Sequence, residues 1–144
     1  MIAAGLIALS APGCSSDSGS QEAFCEQLPR VPALQTVITG FADADPEQLN
    51  RGLDEAAEAY DELRRAAPDD IDDTVDTVAD LVDAVLETVS ENAADPEQVS
   101  AELRAVTARH PGAQAATQEV VTYAAERCEV DLDLPVAPEG TGSG

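Results

Sequence analysis

The sequence predicts an all-α protein, an up-down helical bundle of four to five helices with a kinked first segment and a disulfide joining the first and last helices. Three observations lead to it. Apolar residues recur at helical spacing over most of the 144 residues. Two Asp-Pro-Glu-Gln tetrads, at Asp45 and Asp95, carry the signals of helix starts, and Cys25 and Cys128 frame the region between them and beyond.

The first helical segment opens near Glu22 and is interrupted by Pro29 and Pro32, since proline removes an amide donor and collides with the preceding turn. The second helix shows Leu49, Leu53, Ala56, Tyr60, Leu63 and Ala67, and the third Ile71, Val75, Val78, Val82, Val85 and Val89. Steps alternating between three and four residues place such side chains on one seam. The valines give the third helix poor intrinsic propensity, so packing must hold it. A shorter fourth helix carries Val99, Leu103 and Val106. The fifth gathers Ala113, Ala116, Val120, Val121, Tyr123, Ala124 and Cys128. With two Phe, two Tyr and no Trp, the core is expected to be thin, and Tyr60 and Tyr123 to pack in it with their hydroxyls at the rim.

At each tetrad the Asp is an N-cap, Pro takes the first helical position and Gln the capping-box position. A second proline, Pro68 or Pro111, opens the helix after each. Two helical hairpins are expected, either from an old duplication or because good helix starts converge on the same residues. In an up-down bundle of helices two to five, the end of the fifth lies beside the start of the second. A straight first helix would carry Cys25 to the opposite end, so a bond to Cys128 requires the first segment to fold back at its prolines.

Residues 1–13 read as a lipoprotein signal peptide and Cys14 as the lipid-bearing N-terminus of the mature chain. The run from Met1 to Leu9 is apolar but too short to span a bilayer. Ala11-Pro12-Gly13 precedes Cys14 and supplies the small neighbour that a lipoprotein signal peptidase requires. It departs from the usual lipobox in lacking Leu or Val three residues back, and no basic residue precedes the apolar run, as a start codon placed too far downstream would explain. Residues 14–21 are then a flexible tether, 22–132 the helical domain and 133–144 a disordered tail. Three cysteines fit this scheme: Cys14 is consumed by acylation, and Cys25 and Cys128 remain as a pair in an oxidising compartment.

The formal charge is −22, and the seven basic residues are all Arg. Such a chain is repelled by phosphate backbones and anionic lipid surfaces, which excludes nucleic acid as a partner and leaves covalent lipid as the means of holding a membrane. On the third helix Asp69, Asp72, Asp73, Asp76, Asp80, Asp83 and Glu87 fall on one arc opposite the valine seam, with no basic residue between Arg65 and Arg104. Like charges one turn apart repel mildly. The ordinary role of the stripe is a solvated face; a basic partner or a divalent cation would also offset it. A straight helix spreads its carboxylates, whereas calcium wants six or more oxygens converging from a loop. No nucleophile elbow, zinc-binding helix, phosphate loop or dinucleotide fingerprint occurs. The single His110 sits at a helix junction with no serine placed to use it, so neither an enzyme nor a cofactor is expected.

Gly13-Cys14-Ser15-Ser16, Phe24-Cys25 at the head of the domain, the Asp-Pro helix starts, the Ala67-Pro68 break, and Tyr123 four residues before Arg127-Cys128 together resemble the small helical lipoproteins of unknown function of actinobacteria. The resemblance implies a cell-envelope location and a disulfide between first and last helical segments, and no activity. In such proteins glycine often follows the C-terminal cysteine. Glu129 stands there in this chain, which predicts a less abrupt end to the last helix. Two functional expectations remain: a lipid-tethered module offering its acidic face to a protein or cell-wall partner, or a binder of cations or small apolar ligands.

Overall fold

Five α-helices and one 3-10 turn make up the computed structural model, which describes residues 19–33, 44–130 and 132. The expected signal peptide, Cys14 and the tail from residue 133 lie outside the described residues. The elements are α1 (Gln21–Gln27), a 3-10 turn (Leu28–Arg30), α2 (Pro46–Ala66), α3 (Asp72–Glu91), α4 (Pro96–Arg109) and α5 (Ala113–Arg127), with no strand among the described residues. The protein is all-α, its first segment is kinked at Pro29, and Cys25 is bonded to Cys128 across 5.2 Å between Cα atoms.

Local chemistry fixes the helix starts. Asp45 Oδ1 accepts from the Glu47 amide at 3.0 Å. Asp95 Oδ1 accepts from Glu97 at 3.1 Å and Gln98 at 3.0 Å. Each satisfies amides that the first helical turn leaves without partners. The second proline of each pair behaves differently from expectation. Pro68 begins a turn closed by the Ile71 amide donating to its carbonyl at 2.9 Å, and α3 starts only at Asp72. The domain also begins slightly earlier than residue 22: Ser20 caps α1 by accepting from the Ala23 amide at 3.1 Å. Gly19 lies so close to α2 that a Cβ there would overlap the Ala66 carbonyl group.

The buried side chains form two clusters stacked along α3. One joins Leu49, Leu53, Ala56 and Tyr60 of α2 to Val82, Val85, Leu86 and Val89 of α3 and to Val99 and Val106 of α4. The other joins Phe24 and Leu28 to Leu63, Ala67, Ile71, Val75, and to Val120 and Ala124 of α5. All six seam residues read on the second helix are buried. On α3 the buried set is wider than one stripe, adding Ala79, Leu86 and Thr88, because α3 is the central helix and packs against α2, α4 and α5. Thr88 pays no penalty for burial there, since its hydroxyl donates to the Ala84 carbonyl at 2.7 Å.

This arrangement corrects the expected course of the last two helices. α4 packs on the C-terminal half of α3 and α5 on its N-terminal half, and α4 and α5 barely touch each other. They follow one another up α3, so the second hairpin is not formed. Each is shorter than α3, with 14 and 15 residues against 20, and the break at His110–Gly112 lets both be served by one partner. Cys128 therefore ends up beside the end of α2, not its start. The fold-back argued from a strict up-down order is unnecessary: α1 lies at that same pole, and at Pro32 the chain is beside α2, where the Tyr60 hydroxyl donates to the Pro32 carbonyl at 3.3 Å. Burial pushes the Tyr60 phenol up to about 12.

The end of α5 is a second correction. The helix stops sharply: Glu129 takes φ 54°, and the Ala124 carbonyl accepts from both the Cys128 amide at 3.0 Å and the Val130 amide at 3.2 Å. A left-handed residue terminates helices whatever its side chain, but glutamate carries the Cβ strain that glycine lacks. Glu129→Gly is expected to stabilise the protein by roughly 0.5–1 kcal/mol, the strain relief less the added freedom of the unfolded chain. Urea denaturation of the two forms checks this through the midpoint at unchanged slope.

Candidate functional site: the acidic face of α3

Asp72, Asp73, Asp76, Asp80, Asp83 and Glu87 are all exposed on α3. Helical periodicity puts them on the side away from the buried valines. The face is not without counter-charge, however. Arg64, in the last turn of α2, reaches across the α2–α3 groove: Nη2 donates to Asp80 Oδ1 at 2.8 Å and lies 3.6 Å from Asp83. Its Nε sits 3.1 Å from Asp76 Oδ1, but this nitrogen is buried and makes no aligned hydrogen bond, so that contact is ionic and not directed. Asp61, one turn earlier on α2, stands 3.8 Å from Nη1. One guanidinium thus serves four carboxylates.

The sequence reading missed Arg64 because it sought basic residues along the third helix alone. A hairpin brings the last turn of one helix against the first turns of the next, and that geometry holds the signal. Burial holds the Asp83 carboxyl above its ordinary value, with Asp61 and Asp80 adding to the rise and Arg64 opposing it. Because the folded-state value is raised, the stability contributed by protonated Asp83 is full below its ordinary value and is lost as pH rises through the folded one.

These charges give a prediction about Arg64. Exposed ion pairs contribute little singly, but removing Arg64 leaves its carboxylates facing each other. Arg64→Gln is expected to cost about 1–2 kcal/mol at pH 7 and less at pH 3.5, where carboxylate repulsion in general weakens. Thermal melts of both forms at the two pH values read the difference. An equal loss at both would assign Arg64 a packing role only.

The guanidinium occupies the place among Asp76, Asp80 and Asp83 that a cation would need. Among the described residues no group of three or more Asp, Glu, His or Cys side chains is arranged to hold a metal. Three hollows bear on ligand binding, and one of about 320 Å³ lies on this face, lined by Gly19, Arg64, Arg65, Asp69, Asp72 and Asp76. A polar cleft of about 390 Å³ runs between the C-terminal half of α3 and α4, lined by Glu87, Thr88, Glu91, Gln98, Glu102 and Arg109. An apolar one of about 120 Å³ lies beside Leu28, Pro32, Tyr60, Val78 and Val120, well below the few hundred Å³ of ordinary small-molecule sites. His110 caps the end of α4, its amide donating to the Thr107 carbonyl at 3.2 Å, in keeping with an end-of-helix residue.

At the other end of α3, Phe24 and Tyr123 meet edge to face with ring centroids 5.6 Å apart. The Arg127 guanidinium carbon lies 5.9 Å from the Tyr123 ring centre. The Gln21 side-chain amide donates to the Arg127 carbonyl at 3.1 Å. These contacts surround the Cys25–Cys128 bond and tie α1 to α5. What fold and site define together is a disulfide-closed helical bundle with one strongly acidic face. Set against known proteins, the chain matches no family model, no curated protein and no solved structure.

Proposed function

We propose that the chain is an exported lipoprotein, anchored at the extracytoplasmic face of the cell membrane through lipid on Cys14, whose helical domain is a non-enzymatic interaction module. The observation that carries this reading is the Cys25–Cys128 bond. Such bonds persist in oxidising compartments, and this one uses every cysteine except Cys14. The domain offers a protein or cell-wall partner the carboxylates of Asp72, Asp73, Asp76, Asp80, Asp83 and Glu87. Arg64 holds three of them in fixed positions without neutralising the face. The net charge makes covalent lipid the means of residence at an anionic surface. The test of the anchor is fractionation of the native host: Cys14→Ala should move the protein from the membrane to the soluble or secreted fraction. Retention of that variant in the membrane contradicts the anchor.

The alternative, a cation binder acting through the same face, is disfavoured by the position of Arg64. Low-millimolar calcium is expected to leave the melting temperature unchanged beyond the effect of matched ionic strength. A specific rise, abolished by neutralising Asp76, Asp80 and Asp83 together, would restore the cation reading.

A further inference from the structure

The geometry points to a preferred polarity at the membrane: the pole built from α1, the Pro68–Ile71 turn and the Cys25–Cys128 bond faces the lipid surface, and the opposite pole, at the Asn92–Asp95 turn, faces away from it. This rests on the proposed anchor at Cys14 and adds the surface that meets the lipid. Three observations carry it. First, the chain enters the domain already seated, with the Gly19 backbone against Ala66 and Ala67 and Ser20 capping α1. Little free chain is left beyond that point: the five residues from Cys14 to Gly19 span at most about 18 Å. Second, the entering segment cannot peel away alone, because Cys25 is bonded to Cys128, Gln21 donates to the Arg127 carbonyl, and Phe24 is fully buried. Third, Val130 and Leu132 pack on the same cluster as Phe24, so the residues just after α5 help to hold the entering segment in place.

The rest of the geometry follows from the length of α3, which at 20 residues separates the two poles by about 30 Å. A tether whose full reach, at most about 18 Å, is shorter than the domain keeps the entry pole nearer the surface than the far pole. Asp69, Asp70, Asp72 and Asp73 are exposed at that pole, so an anionic surface repels it and the pole hovers instead of embedding. The cleft between α3 and α4, at the far pole, is then open to molecules arriving from outside the membrane.

Paramagnetic broadening of amide signals tests this on the unsubstituted chain. The native lipoprotein is placed in nanodiscs doped with a gadolinium-chelate lipid, once in zwitterionic and once in anionic lipid. With the poles about 30 Å apart, broadening at Gln21, Phe24, Asp70 and Arg127 should be at least about tenfold that at Asn92, Asp95 and Gln98. It should weaken at the near pole in anionic lipid at low salt. Uniform broadening, or a reversed gradient, overturns the polarity. Its failure is separable from failure of the anchor: the mass of the native protein reports lipid on Cys14 directly. In addition, the full chain with a maleimide-linked lipid on the Cys14 thiol, the one cysteine outside the disulfide, reads the gradient whether or not the cell attaches lipid there.

Discussion

Reduction of the Cys25–Cys128 bond, or its replacement in Cys25→Ser/Cys128→Ser, is expected to remove about 4–5 kcal/mol of stability in the chain-entropy account of cross-links. The bond joins residues 103 apart, so its loss returns to the unfolded chain the freedom of nearly the whole domain. Native domains hold roughly 5–15 kcal/mol, and the core here is assembled largely from Val, Ala and Leu, with Phe24 and Tyr60 the buried aromatics among the described residues. The reduced protein should therefore melt more than about 15 °C lower at this size, or be unfolded at 37 °C. Urea denaturation with and without a thiol reductant measures it. A loss under about 1 kcal/mol would mean that non-covalent contacts alone hold α1 and α5 together.

Phe24→Ala is the second large effect, at about 3–5 kcal/mol. Phe24 is completely buried in a cluster with Leu28, Leu63, Ala67, Ile71, Val75, Val120 and Ala124, and meets Tyr123 edge to face. These neighbours come from four elements, so the space left by the ring cannot close by moving one of them. Phe24→Leu, which keeps most of the volume, should cost about 1.5 kcal/mol or less beyond the aromatic contact. Since Phe24 and Cys25 secure the same joint, removing ring and bond together should cost less than the sum of the separate losses. The double-mutant cycle measures that coupling. Full additivity would show that α1 docks and is cross-linked through independent contacts.

The first effect lies at residues that can be read from the sequence, and the reason is physical; the burial of Phe24 is shown only by the structure. A helical seam announces itself through spacing, as from Leu49 to Ala67, and an Asp-Pro start carries its capping chemistry in two adjacent residues. The Cys25–Cys128 pairing follows from counting only when Cys14 is set aside for lipid, as proposed. What escaped reading depends on how helices meet. Which pole receives Cys128 is decided by whether α4 and α5 turn back on each other or continue along α3, and seam spacing is the same in either case. Arg64 stands 12, 16 and 19 residues before Asp76, Asp80 and Asp83 in the chain and beside them in space, so a reading along one helix saw only carboxylates. Glu129 was placed where glycine is usual, yet the inference ran the wrong way. Termination is imposed by backbone geometry and the packing of Val130 and Leu132, and the side chain bears the strain. Gly19 offered no signal beyond being a glycine, because its role lies in the approach to Ala66.

The proposed lipid on Cys14, which would hold the disulfide-closed bundle at a membrane, is open to mass spectrometry of the protein from its native membrane. The expected result is a mature chain beginning at Cys14 with a diacylglyceryl mass on that residue, and Cys25 linked to Cys128 in the non-reduced digest. An unmodified chain beginning at Met1, with Cys14 as a free thiol, would contradict it.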